Sequence, residues 1–279
     1  MQKAEAWPVP SETRFVDTPS GRTFVRISGP GTAPPLVLLS GTRGMSLMWS
    51  GCIAALSAHY RTYALDTITD IGLSIPRREI STKEDLVNWL DEVFSVLIPE
   101  GPLNLMGMSY GGWLASQYAL RFPGRLRKVV MLAPGGTVLR LSPAFFIRVM
   151  ILLIPLPGMS GKPLQKILRW LFRDTVQSGE KGRILIEKQL PYLLTAGRLF
   201  NLPRLVWPTV LDDKAWQRFS VPALFLVGEN EKIYSARAAV KRLKRVAPQV
   251  KTGIIPGAGH DLTMVRATVV AEKVLEFLL

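Results

Sequence analysis

A mostly parallel α/β sheet flanked by helices, with one helical cap inserted into it, is the fold class this sequence predicts. Three observations predict it. Short apolar strands alternate with helix-period segments along most of the chain, and strands separated by helices form a parallel sheet covered on both faces. The alternation stops between about residues 136 and 218, where the chain is apolar, basic and punctuated by proline, and resumes afterwards. The 279 residues, 48% of them hydrophobic, fit one large domain with an insertion.

The elements follow in order. Arg14–Val16 and Thr23–Ile27 flank Pro19-Ser20-Gly21 and read as a hairpin. Gly29–Pro35 is a turn-rich connector before the apolar strand Leu36–Leu39. Ser46–Ala58 reads as helix and Thr62–Leu65 as the next strand. Thr82–Leu97 places Leu86, Val87, Leu90, Val93, Phe94 and Leu97 at helical spacing. The run Leu103–Met106 is a buried strand, Gly112–Arg121 a helix, and Lys128–Leu132 a strand. After the break come strand Ala223–Val227, helix Ser235–Val246, strand Lys251–Ile255 and helix Val265–Leu279. The expected organisation is a core of residues 1–135 and 219–279 with a helical cap at 136–218.

Composition excludes several function classes. One cysteine, Cys52, rules out an internal disulfide and any multi-cysteine metal site, and two histidines make a His-rich metal site implausible. Met1–Pro8 has no apolar signal core, so the expected location is the cytoplasm. No run approaches the roughly 18 apolar residues of a membrane span. The formal charge is +14, but no nucleic-acid module uses it. The densest basic run, Lys241–Arg245, has the spacing of a solvated helix face.

Chemistry concentrates at Gly107-Met108-Ser109-Tyr110-Gly111, between a strand and a helix. That context is what a nucleophile elbow requires. The sharp turn holds the serine hydroxyl above the sheet, and glycines two before and two after it let strand and helix close up. Ser109 is therefore the candidate nucleophile. Such a serine needs a base, and the base an orienting acid. His260, in Gly257-Ala258-Gly259-His260 after a strand, leaves the sheet from the same edge as Ser109. His59, at a helix end, reads as structural. The acid belongs after another strand end, where Glu229 and Glu231 are the candidates; Asp212 and Asp213 come too early, and Asp261 adjoins the base and points elsewhere. An oxyanion hole would use the backbone N–H of Tyr110 and one from the Gly-rich loop Ser40–Gly44, assigned to Thr42.

With these residues placed, the chain resembles the α/β-hydrolase superfamily from about Arg14 to its end, and within it the bacterial carboxylesterases. Pro34–Gly41 stands where that family has an apolar strand and His-Gly, and Trp49 fits a tryptophan that often follows. Arg61–Asp66 is similar to the family's strand ending in aspartate. Gly228-Glu229-Asn230-Glu231-Lys232-Ile233-Tyr234 looks like the acid loop Gly-Glu-x-Asp-x-Ile-Tyr with glutamate for aspartate. That likeness places the acid at Glu231. Two departures stand out: Ser40 replaces the histidine before the oxyanion glycine, and Asp70, Gly72 and Ser74 replace Gly-x-Gly-x-Ser.

The resemblance implies a serine carboxylesterase acting on a small hydrophobic ester, with no metal or organic cofactor. Phe145, Phe146, Met150, Leu153, Trp170, Phe172, Leu193 and Trp207 of the cap are the candidate acyl-pocket residues. A biosynthetic acyltransferase, thioesterase or cyclase on the same triad is the rival enzyme reading, and a ligand-binding homologue with a vestigial triad is the non-enzymatic one. The cap segment holds 13 Lys and Arg against 5 Asp and Glu. Charge beside its apolar run, Phe145–Ile154, leads us to expect weak contact with anionic membrane surfaces.

Overall fold

The computed structural model describes residues 7–153, 162–180, 182–184, 186–187 and 206–279. Its chain opens with a hairpin of β1 (Glu12–Thr18) and β2 (Gly21–Ser28), paired antiparallel from Glu12↔Ile27 to Thr18↔Gly21. There follow β3 (Pro35–Leu39), a 3-10 helix (Ser46–Gly51), α1 (Ile53–Ser57), β4 (Arg61–Leu65), β5 (Ile75–Pro76) and α2 (Lys83–Leu97). Next come β6 (Leu103–Met108), α3 (Tyr110–Arg121) and β7 (Leu126–Leu132). The segment after β7 carries α4 (Pro143–Leu153), α5 (Lys162–Leu171), α6 (Arg173–Gln177) and α7 (Asp213–Gln217). The chain then returns to the sheet with β8 (Ala223–Gly228), α8 (Ala236–Val246), β9 (Lys251–Ile255), α9 (Leu262–Val265) and α10 (Ala267–Leu278).

The nine strands among the described residues form one sheet in the order β1-β2-β4-β3-β6-β7-β8-β9, with β5 on β2. Strands β4 to β9 of that path are parallel, and only the β2 pairings are antiparallel. Parallel strands covered on both faces should be apolar throughout. Strands β6 and β8 are buried at every position, and Trp49, Trp89, Trp113 and Trp216 fill the space between sheet and helices with no exposed surface. Register aligns the strand ends that build the site. Leu39 pairs with Gly107, Met108 with Leu132, and Gly228 with Ile255, so the loops after β3, β6, β8 and β9 leave one edge together.

Two expected elements differ in detail, and one pairing is new. Ser46–Ala58 is not one α-helix: a 3-10 turn precedes α1, because Met45 adopts φ 44, ψ 172 and Gly51 lies against the chain of α9, where a Cβ would come 2.9 Å from the Thr263 carbonyl. The C-terminal helix is broken at Arg266 (φ −129), whose Nε–H donates to the Pro256 carbonyl at 3.3 Å. The pairing of Ile75–Pro76 with Gly21 and Arg22 was not anticipated. No helix among the described residues is long and apolar enough to cross a membrane.

Candidate active site

The elbow forms because two glycines permit it. A Cβ at Gly107 would run into the Gly111 carbonyl, and one at Gly111 into the Leu39 carbonyl. Between them Ser109 is held at φ 53, ψ −113, a region L-residues avoid. Its N–H donates to the Leu132 carbonyl at 2.9 Å, and its carbonyl accepts from Trp113 and Gly135, each at 3.0 Å. The serine backbone is thus fixed on three sides.

From Ser109 a continuous hydrogen-bonded chain runs across the sheet edge. Ser109 Oγ lies 2.9 Å from His260 Nε2, and His260 Nδ1 lies 3.0 Å from Glu231 Oε2. The second carboxylate oxygen, Oε1, accepts the backbone N–H groups of Lys232 at 2.7 Å and Ile233 at 3.0 Å. The Glu231 side chain is wholly buried and His260 nearly so. Burial lowers the His260 pKa, but the charge and hydrogen bond of Glu231 together with Asp261 outweigh it, leaving the imidazole above its ordinary value.

The other candidates of the sequence lie outside this hydrogen-bonded chain. Glu229 is exposed and its carboxylate accepts the Gly257 N–H at 3.2 Å. His59 is exposed at the end of α1. Asp212 caps α7 through the Ala215 N–H, and Asp213 pairs with Arg242 and Arg245. Cys52 is buried, and burial pushes its thiol up to about 12, away from the nucleophilic thiolate.

The loop expected to supply an oxyanion hole lies against the serine: a Cβ on Gly41 would be 3.2 Å from Ser109 Cβ. Its N–H groups are allotted in turn. Gly41 donates to Met48 Sδ at 3.3 Å, Arg43 to Asp70 Oδ2 at 2.5 Å, and Gly44 to the Gly41 carbonyl at 2.9 Å. The Thr42 N–H alone in that run has no partner among the described residues. The Tyr110 N–H, at the first position of α3, has no intrahelical acceptor. Sequence reasoning missed how this loop is held. Asp70, through Oδ1 on the Ile71 N–H and Oδ2 on the Arg43 N–H, and Asp66, through Oδ1 on the Ser46 N–H at 2.6 Å, brace it from below. Met48, Asp66 and Asp70 hold a loop whose Ser40 replaces histidine. Burial pushes both carboxyls up despite these bonds.

The expected pocket residues are only partly accounted for. Phe145 is half-buried against the core, and Phe146 and Trp207 are 47% and 41% exposed, with ring centroids 6.1 Å apart. Trp170 is half-buried, with the Arg148 guanidinium 4.3 Å over its ring, and Phe172 is half-buried beside α6. The side chains of Met150 and Leu153, and Leu193 altogether, lie outside the described residues. Tyr110 Oη donates to the Val206 carbonyl at 3.0 Å, joining the start of α3 to the segment between β7 and β8.

The model of the alpha/beta hydrolase family matches residues 36–273. This chain belongs to that family. Among relatives of this alpha/beta hydrolase, the uncharacterized carboxylesterase nap of Bacillus subtilis (strain 168) is 34% identical over 272 residues, 97% of this chain and 88% of that protein. Carboxylesterase YbfK of the same strain is 31% identical over 284 residues, 99% of this chain and 91% of its own. The crystal structure of naproxen esterase (carboxylesterase NP) from Bacillus subtilis superposes with a TM-score of 0.88 at 32% identity, covering 99% of this chain and 94% of that one. The present hydrolase is thus carboxylesterase-like over nearly its whole length.

Proposed function

We propose that this alpha/beta hydrolase cleaves carboxylic esters of hydrophobic substrates through Ser109, His260 and Glu231. The observation that carries the reading is the unbroken chain Oγ to Nε2 and Nδ1 to Oε2, at 2.9 and 3.0 Å. Ser109 Oγ attacks the acyl carbonyl while His260 Nε2 takes its proton. Glu231 keeps the proton on Nδ1 and stabilises the imidazolium. The N–H groups of Thr42 and Tyr110 receive the negative charge that develops on the carbonyl oxygen. Nε2–H then protonates the leaving alcohol, and water, activated by the same nitrogen, releases the acid from the acyl-enzyme.

Residues 136–218 act as the cap, supported by the position of α4 to α7 between β7 and β8. Their aromatic side chains provide the apolar acyl contacts. The exposed Phe146, Ile147 and Trp207 beside Arg148 give the cap a face suited to weak contact with anionic lipid.

Intact-mass analysis after treatment with a fluorophosphonate tests the nucleophile. One adduct is expected, mapping to the Ser109 peptide and absent in Ser109→Ala, whose ester turnover should also vanish while the fold persists. An adduct elsewhere, or none alongside ester turnover, overturns the assignment.

A further inference from the structure

The loops carrying the acid and the base are tied to each other and also to α6, a piece of the insertion remote in sequence. Asp261, next to His260, is 1% exposed, and both its oxygens are engaged. Oδ2 accepts the N–H of Thr175 in α6 at 2.6 Å, and Oδ1 accepts the Gly259 N–H at 3.2 Å. Asn230, next to Glu231, donates its Nδ2–H to both carboxylate oxygens of Asp174, at 3.2 and 3.3 Å. The Asn230 backbone N–H crosses to the Ala258 carbonyl of the base loop at 2.8 Å. Gly259 lies at the junction of all three. A Cβ there would come 3.0 Å from Asp174 Oδ2, 3.2 Å from the Asn230 carbonyl and 3.5 Å from Asp261 Oδ1. The close approach of the Asp174 carboxylate thus depends on a glycine one residue before the base.

The residues have unequal needs. Asp261 is buried and its charge is met by backbone N–H groups, so removing the α6 contact leaves a buried acceptor unpaired, which is costly. Asp174 and Asn230 are half-buried and join only side chain to side chain. Both contacts converge on residues adjacent to triad members, where a displacement of about 1 Å is enough to cost on the order of 10² in rate.

We infer that Asp261, Asn230 and Asp174 are positioning residues that clasp α6 to the Glu231 and His260 loops, so the triad is aligned only while this part of the insertion is docked. The inference rests on the proposed Ser109 mechanism. The clasp acts through the two loops and touches no reacting atom. It gives the insertion a part in the rate of the chemical step in addition to its contacts with substrate. A short ester, which needs little from an acyl pocket, should feel it as much as a long one.

The test compares Asp174→Ala, Asn230→Ala and Asp261→Asn with the parent, using p-nitrophenyl acetate and p-nitrophenyl octanoate. In Asp174→Ala and Asn230→Ala, kcat should fall about 10- to 100-fold on both esters, with KM changed less than about threefold and far-UV circular dichroism preserved. Asp261→Asn keeps an acceptor for the Thr175 N–H but removes a charge that raises the His260 pKa, so its acid limb should move to lower pH. Hydrogen exchange should rise together in 173–177 and in the loop around His260 in Asp174→Ala. Parent-like kcat in both alanine variants, or a loss confined to KM for the long ester, overturns the clasp. Ester turnover that survives in Ser109→Ala would instead sink the underlying mechanism, whatever the clasp variants do.

Discussion

Replacing Glu231 by Gln exchanges one oxygen for an NH2 group and should disable the site. The two oxygens of Glu231 are not equivalent. Oε1 serves two backbone N–H groups, at 2.7 and 3.0 Å, while Oε2 faces His260 Nδ1 at 3.0 Å. A glutamine must keep its carbonyl oxygen on the two N–H groups, because an NH2 there would leave both unsatisfied inside a fully buried pocket. Its NH2 then points at Nδ1, which must become an acceptor. The proton moves to Nε2, which can no longer take one from Ser109. The wrong tautomer costs about 10³ to 10⁴ in kcat, and at about 1.36 kcal/mol per decade that raises the barrier by about 4 to 5.5 kcal/mol. Steady-state hydrolysis of p-nitrophenyl butyrate measures it directly. Losing the carboxylate also removes the larger part of what holds the imidazole pKa up, leaving only Asp261, while burial continues to push it down, so any residual activity should show its acid limb at lower pH than the parent. Turnover of Glu231→Gln within tenfold of the parent, with an unmoved acid limb, would refute the reasoning. The matching change Glu229→Gln, at an exposed residue whose carboxylate accepts the Gly257 N–H, should leave kcat within about twofold.

On the proposed mechanism, catalysis needs neutral His260, whose pKa is raised in the parent. kcat/KM should therefore fall as pH drops through a midpoint above the ordinary histidine value of about 6.5, and a midpoint below it in a pH-rate profile would count against the Glu231 pairing. Asp70→Ala removes the acceptor that fixes Arg43, and with it the aim of the Thr42 N–H. kcat should fall about 10- to 100-fold while KM stays near the parent value, and affinity for a trifluoromethyl ketone should fall in step. Gly259→Ala puts a Cβ against Asp174 Oδ2 and the Asn230 carbonyl, and should lower both Tm and kcat in thermal and kinetic assays. Flotation with anionic vesicles should recover some protein at low salt and less at physiological salt, with Phe146→Ser and Trp207→Ser reducing it; no binding at low salt would leave the exposed aromatic face with a purely intramolecular use.

Much of the candidate site could be read along the chain because its parts are local. The elbow is five consecutive residues, and its glycines are required by contacts within the strand-turn-helix unit itself. His260 and Glu231 each follow an apolar strand directly, so counting strands places them. The unread parts depend on contacts between distant segments. Nothing near Asp70 announces that it accepts the Arg43 N–H, and nothing near Asp261 points to α6. Two-residue β5 is too short for any periodicity to reveal. The 3-10 turn at Ser46–Gly51 follows from the dihedrals of Met45 and from the packing of Gly51 on α9, not from local propensity. The register pattern of hydrophobic residues is a property of each element, whereas a brace between loops is a property of the assembled edge.

Among the described residues, the non-glycine positions with positive φ are Arg43, Met45, Ser109 and Ala133, and all of them follow the carboxyl ends of β3, β6 or β7. Each such position costs on the order of 1 to 3 kcal/mol. The sheet beneath them therefore carries a standing debt concentrated on the edge where Ser109 sits. A library of variants sorted for heat resistance alone would find glycine at these positions among its easiest gains, and Ser109→Gly would be among them. Selection for endurance without selection for turnover should then discard the hydroxyl early and leave a sturdier, inert protein. The nucleophile persists only while something asks the molecule to react.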